Sequence, residues 1–246
     1  MKALFRGVLA GSVFSALALV VPASAAEIIV LDSSAASIKA GSVIQSDAVV
    51  NIPAGRKITI METDGSVRAI SGPFDGAVSK SAKAGGESHL ISGLAKLVTE
   101  RSERKAVLGA VRAVDKNGDE AGLYAVDVTK SEIFCLPAGK NPVLWRPDRL
   151  NLDAQFAIRN WHNQDDVRVA MWRRGDSTLA WPPNLQIGGG ADYVLRMDVA
   201  LQDTQLRVHR IPQDLNTTAD RVVWMAQTGC ERQARLLLDD MIDKAN

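Results

Sequence analysis

Residues 152–159 read LDAQFAIR and residues 192–201 read DYVLRMDVAL. Leu152, Ala154, Phe156 and Ile158 alternate with Asp153, Gln155, Ala157 and Arg159. Tyr193, Leu195, Met197, Val199 and Leu201 alternate with Asp192, Val194, Arg196, Asp198 and Ala200. A period of two is that of a strand with one face on a core and the other in water. Around these lie further strand candidates at Leu123 to Val128, Glu132 to Leu136, Val143 to Trp145, Val167 to Trp172, Thr178 to Trp181 and Gln205 to Ile211. Short strands at this spacing, separated by turn residues, predict an antiparallel, immunoglobulin-like β-sandwich over residues 106–246. Its end is helical. Thr228 and Glu231 have the spacing of a capping box, and Cys230, Ala234, Leu237, Leu238 and Met241 share one helix face. Thr218 to Ala226 suits either a short helix or a last strand.

Upstream, residues 26–78 form a separate run of short strands. Glu27 to Leu31 is a β-branched run. Ser42 to Ile44 and Ala48 to Ile52 follow, and Pro53-Ala54-Gly55 turns the chain into Lys57 to Thr63. Asp64-Gly65 allows the positive φ angles of a tight turn, so Ile58 to Glu62 should pair back onto Val67 to Ser71. Gly72-Pro73 ends that strand. Residues 79–105 then make a linker and a helix: Ser79 to Ser88 lacks periodicity, whereas Leu90, Leu94, Leu97 and Val98 lie on one face of a helix from Ser88 to Arg101.

Lys2 and Arg6, the apolar run Val8 to Val21, and Ala23-Ser24-Ala25 have the layout of a secretory signal peptide, residues 1–25. Removing 25 residues from 246 leaves 221, enough for one large or two smaller domains. With 29 basic and 28 acidic residues overall, and two of the basic ones in the signal, the mature charge is −1. That balance draws the protein toward neither nucleic acid nor an anionic membrane. No second apolar stretch is long enough to span a bilayer. A periplasmic or secreted location follows, and with it an oxidising environment in which Cys135 and Cys230, 95 residues apart, should form a disulfide.

The residue patterns of catalysis are missing. Gly86-Glu87-Ser88 is not followed by the glycine of a nucleophile elbow. Gly139-Lys140-Asn141 lacks the frame of a phosphate loop, and Gly188-Gly189-Gly190 reads as a hairpin loop between strands. His89, His162 and His209 are scattered, without ligand spacing. Asp115 to Asp119 starts like a calcium loop, but Glu120 stands where the glycine belongs and Val126 where the bidentate Glu belongs, so a polar turn is the reading. No catalytic residue, metal site or cofactor is expected. The candidate binding surface is Trp161, Trp172, Arg173, Arg174 and Trp181, since aromatic platforms beside polar groups bind sugar rings or partner proteins.

The stretches Ala40-Gly41-Ser42-Val43, Asn51-Ile52-Pro53-Ala54-Gly55, Asp64-Gly65-Ser66-Val67 and Gly72-Pro73-Phe74 resemble the β-rich FecR-type domain of bacterial envelope proteins, over about 50 residues. Ile38 to Val50 also looks, more weakly, like the SAF-type domains of pilus and flagellar assembly proteins. The FecR-type resemblance implies a periplasmic, non-catalytic interaction domain. The chain lacks the cytoplasmic helix bundle of the signalling members. The expectation is therefore an exported scaffold or interaction protein whose partner is an envelope protein. The alternative is a glycan or peptidoglycan binder using the tryptophans.

Overall fold

The computed structural model describes residues 25–78, 88–109 and 121–246. The signal-peptide reading, the 79–87 linker and the acidic Asp115–Asp119 run lie outside these residues.

The first β unit contains β1 (Glu27–Ser33), β2 (Val43–Gln45), β3 (Val49–Ile52), β4 (Lys57–Met61), β5 (Val67–Ser71) and β6 (Phe74–Ala77). Four strands form a sheet in the order β2-β1-β4-β5, and β3 pairs with β6. The β1 strand explains its own composition. Ile28 and Val30 pack with Val50, Ile52, Ile58 and Ile60 under the β3–β6 ribbon. Ile29 and Leu31 point the opposite way, into a helical layer. A strand buried on both faces needs apolar residues at every position, hence the unbroken run. The β4–β5 hairpin runs from Lys57↔Ser71 to Met61↔Val67, one residue earlier on β4 than expected. Glu62 N–H donates to Ser66 O at 3.0 Å, leaving Thr63, Asp64 and Gly65 as the loop, with Gly65 at φ 82°.

Three helices form the next layer: α1 (Ser88–Gly109), α2 (Thr218–Thr228) and α3 (Glu231–Ala245). Leu90, Leu94, Leu97 and Val98 of α1 meet Val222 and Met225 of α2 and Leu238 and Ile242 of α3 against Ile29, Leu31 and Met61 of the sheet. The α1 helix continues eight residues beyond Arg101, where apolar periodicity fades. Glu103, Arg104 and Lys105 are good helix formers, which a search for apolar spacing does not register. Arg101 itself is buried, and its Nε donates to Asp239 of α3 at 2.5 Å.

The capping box sits on a different helix from the one expected. Gly229 adopts the left-handed conformation at φ 92° and ends α2, so Thr228 belongs to the last turn of α2. Cys230 precedes α3 and makes no side-chain cap. The box is instead Thr217 with Asp220: Thr217 Oγ1 accepts from Asp220 N at 3.0 Å and Thr217 N donates to Asp220 Oδ2 at 3.0 Å. Thr217→Ala should lower stability by about 1 kcal/mol in urea unfolding, whereas Thr228→Ala should leave it nearly unchanged.

The sandwich is built from β7 (Ala125–Asp127), β8 (Glu132–Leu136), β9 (Val143–Trp145), β10 (Ala154–Asn160), β11 (Val167–Trp172), β12 (Thr178–Ala180), β13 (Ala191–Met197) and β14 (Thr204–Arg210). A sheet in the order β11-β10-β13-β14-β8 faces one in the order β12-β9-β7. The chain crosses between sheets from β7 to β8, back to β9, on to β10, from β11 to β12 and from β12 to β13, while β10–β11 and β13–β14 are hairpins. The Gly188–Gly190 loop thus joins strands of different sheets and is not a hairpin. Pairing is antiparallel except for β14 with β8 and β7 with β9, which are parallel. The β13 strand ends at Met197 although its alternation runs on. Val199 and Leu201 lie exposed in the connection to β14, and Leu201 has no cover at all.

Candidate functional site

The two edges of the five-stranded sheet are treated differently by the sequence. At the β8 edge, Gln233 of α3 stands in for a neighbouring strand. Its Oε1 accepts from Cys135 N at 2.6 Å, and its Nε2 donates to Cys135 O at 2.7 Å and to Leu123 O at 2.9 Å. The disulfide Cys135–Cys230, with Cα atoms 5.8 Å apart, ties the same strand to the start of α3. Arg232 completes the seal. It donates to Glu132 Oε2 at 3.0 Å and to the carbonyls of Ala121 and Ala125 at 2.9 and 2.7 Å. Burial raises the Glu132 carboxyl above its ordinary 4.5, and hydrogen bonding to Arg232 only partly offsets this.

A raised carboxyl favours the folded state most while it is protonated. Its contribution is therefore full below the unfolded value near 4.5 and is lost as pH rises through the folded value. Stability of the native chain should fall relative to Glu132→Gln across that interval, as read from urea unfolding at a series of pH values. A constant difference between the two proteins would contradict this.

At the other edge, β11 pairs with β10 alone, from Ala154↔Trp172 to Arg159↔Val167. No further backbone hydrogen bond reaches Val167–Trp172 among the described residues. Val167, Val169 and Met171 point out of the sandwich and are 42, 59 and 51% exposed. Arg168, Ala170 and Trp172 face inward. Hydrophobicity alone does not choose between the two orientations, since both faces carry apolar residues. Trp172 decides the matter: it is fully buried, packs edge-on against Phe156 at 5.7 Å, and donates Nε1–H to Asp176 O at 2.8 Å. The guanidinium of Arg146 lies 4.8 Å from its ring centroid and donates to the carbonyls of Leu152, Arg173 and Asp176. Arg146 is buried and pins the segment that follows β11, a role its position beside Trp145 did not signal.

Beside β11 the outer face holds a shallow cavity of about 320 Å³, lined by Ala157, Arg159, Gln164, Val167, Val194 and Asp203. Arg196 forms a forked ion pair with Asp203, both bonds at 2.7 Å. Arg159 Nη1 is buried without a hydrogen-bond partner, the one such side-chain atom among the described residues. The cavity therefore offers a free donor next to an apolar edge.

Two of the three tryptophans expected on the surface are buried. Trp172 is in the core, and so is Trp181, which packs edge-on against Tyr193 at 5.1 Å and donates Nε1–H to Leu185 O at 2.8 Å. An indole whose N–H finds an internal acceptor can be buried without cost from that group, and both do. Trp161 is 47% exposed, and Arg173 and Arg174 are also exposed. What lies on the surface is one indole and two arginines, together with the β11 stripe that the tryptophan count did not indicate. Among the described residues, no three His, Cys, Asp or Glu side chains gather as a metal site, and no helix is long and apolar enough to cross a membrane. No family model, curated protein or solved structure matches the chain.

Proposed function

We propose that this protein is an exported, non-catalytic interaction module of the bacterial envelope, and that β11 is its binding edge. The observation that carries this reading is the outward turn of Val167, Val169 and Met171 on a strand with one free side. An edge strand with exposed apolar side chains is a template for another strand, and folded proteins ordinarily blunt such edges. Here the opposite edge is sealed by a glutamine, an arginine and a disulfide, so the open one stands out. The disulfide suits an oxidising compartment. The signal-like residues 1–25 and the FecR-type resemblance of residues 26–78 support the same setting. Glycan binding is the weaker reading, because a sugar platform would rest on Trp161 alone.

A photo-crosslinking residue at Met171 of the exported chain, activated in intact cells, tests this. The expected result is a discrete protein adduct that is missing when the same residue replaces exposed Gln213. Equal or absent labelling at both positions would overturn the reading.

A further inference from the structure

We propose that the strand occupying the β11 edge is β11 of a second copy, added antiparallel about a two-fold axis through Val169. This deepens the interaction reading above and rests on it. The sequence from Asp165 to Arg174 is acidic at its start (Asp165, Asp166), apolar in its middle apart from Arg168, which pairs with Asp166, and basic at its end (Arg173, Arg174). Parallel addition would set like charge against like. Antiparallel addition sets each acidic start alongside the other copy's basic end, once on each side of the axis, and opposite charges across strands are favourable. Asp165 and Arg173 are exposed and have no ion-pair partner within the chain among the described residues.

Register follows from the faces. A two-fold axis normal to the sheet carries the outward face onto the outward face, so residues of like parity meet. Centred on Val169, it pairs Val169 with itself and Val167 with Met171 twice, covering all three exposed apolar side chains. Centred on Ala170, it would set Val167 against Arg173 and leave that valine without an apolar neighbour. Arg168, on the inward face, meets only Ala170 in the Val169 register, so no like charges are opposed there. The product is a continuous ten-stranded sheet whose outermost strands are the two sealed β8 strands, each five-stranded half being the sheet already described. Closed two-fold pairing uses up both open edges and cannot propagate into a fibre.

The purified mature chain, with its disulfide intact, should sediment at twice the monomer mass at concentrations in the range of about 10–100 µM, as expected of a small interface. Val169→Lys places two like charges opposite each other at the axis and should weaken association at least about tenfold. Val169→Glu should do the same, and mixing the two variants should restore the doubled mass. Val169→Cys should crosslink to itself, because cross-strand Cα atoms sit about 4.5–5.5 Å apart, within disulfide reach. Val167→Cys and Met171→Cys should crosslink to one another and not to themselves.

A native chain that stays monomeric throughout, or a dimer indifferent to Val169→Lys, would overturn the proposal. So would self-crosslinking at 171 without crosslinking at 169. If the chain is monomeric while the Met171 photo-adduct has the mass of another protein, self-pairing fails and the interaction reading stands. If the chain is monomeric and no adduct forms, both fail. Far-ultraviolet circular dichroism of each variant, matching that of the native chain, separates lost pairing from lost folding.

Discussion

Replacing Gln233 with Ala should cost about 3–5 kcal/mol of stability in urea unfolding. The side chain satisfies two buried backbone groups, Cys135 N and Cys135 O, and the half-buried carbonyl of Leu123. Leaving a buried donor or acceptor without a partner costs about 1–3 kcal/mol each, and the truncation also empties space between α3 and β8. Gln233→Glu separates these effects. It keeps the volume but turns a carboxylate oxygen toward two carbonyls that need a donor, so it should be as damaging as Ala. A mild effect of Gln233→Glu would show that the residue fills space and does not serve as a surrogate strand.

The second large effect concerns the crosslink. The double variant Cys135→Ala, Cys230→Ala opens a loop spanning 95 residues, which on the chain-entropy model costs about 4–5 kcal/mol. The urea m-value should rise together with the loss, because the uncrosslinked denatured chain is less compact and exposes more surface. Gln233 and the disulfide hold the same strand to the same helix, so their losses should not add. Once the crosslink is gone, the Gln233→Ala penalty should shrink, since the β8–α3 junction is already loosened.

Much of the architecture was legible because it rests on periodicity. Val143 to Trp145 and Val167 to Trp172 are strands with the bounds their residues suggest, and the apolar face of α1 is the buried one. The signal-like N-terminal sequence led to the expectation that Cys135 pairs with Cys230, and the cysteines are bonded. What stayed hidden depends on which way a strand turns its faces. In β11 both faces carry apolar residues, so parity was undecided; only Phe156, Arg146 and the Asp176 carbonyl around Trp172 fix it. Gln233 gave no signal either. A glutamine on an amphipathic helix ordinarily faces water, and its role emerges only when α3 lies along β8. The capping box was missed for a local reason: Thr217 and Asp220 have the right spacing, but Gly229 decides which residues precede α3.

The corrected placement of the tryptophans changes the functional emphasis. Trp172 and Trp181 order the sandwich interior, and by occupying the inward position Trp172 pushes the valines and methionine of β11 outward. The proposed binding edge and the core anchor are thus alternate residues of one strand, so a core substitution such as Trp172→Ala would also disturb the edge. Variants that probe binding therefore belong at Val167, Val169 and Met171, whose side chains are exposed on the outward face of the sheet.

One sheet carries both a sealed β8 edge and an open β11 edge. Residue-resolved amide hydrogen exchange of the native chain, measured at dilute and at high protein concentration, reads that contrast directly. The Cys135 amide should exchange slowly at both concentrations. Along Val167–Trp172, every second amide should exchange fast in dilute solution and slow down at high concentration. Slow exchange of every β11 amide in dilute solution, or fast exchange at Cys135, would contradict the account.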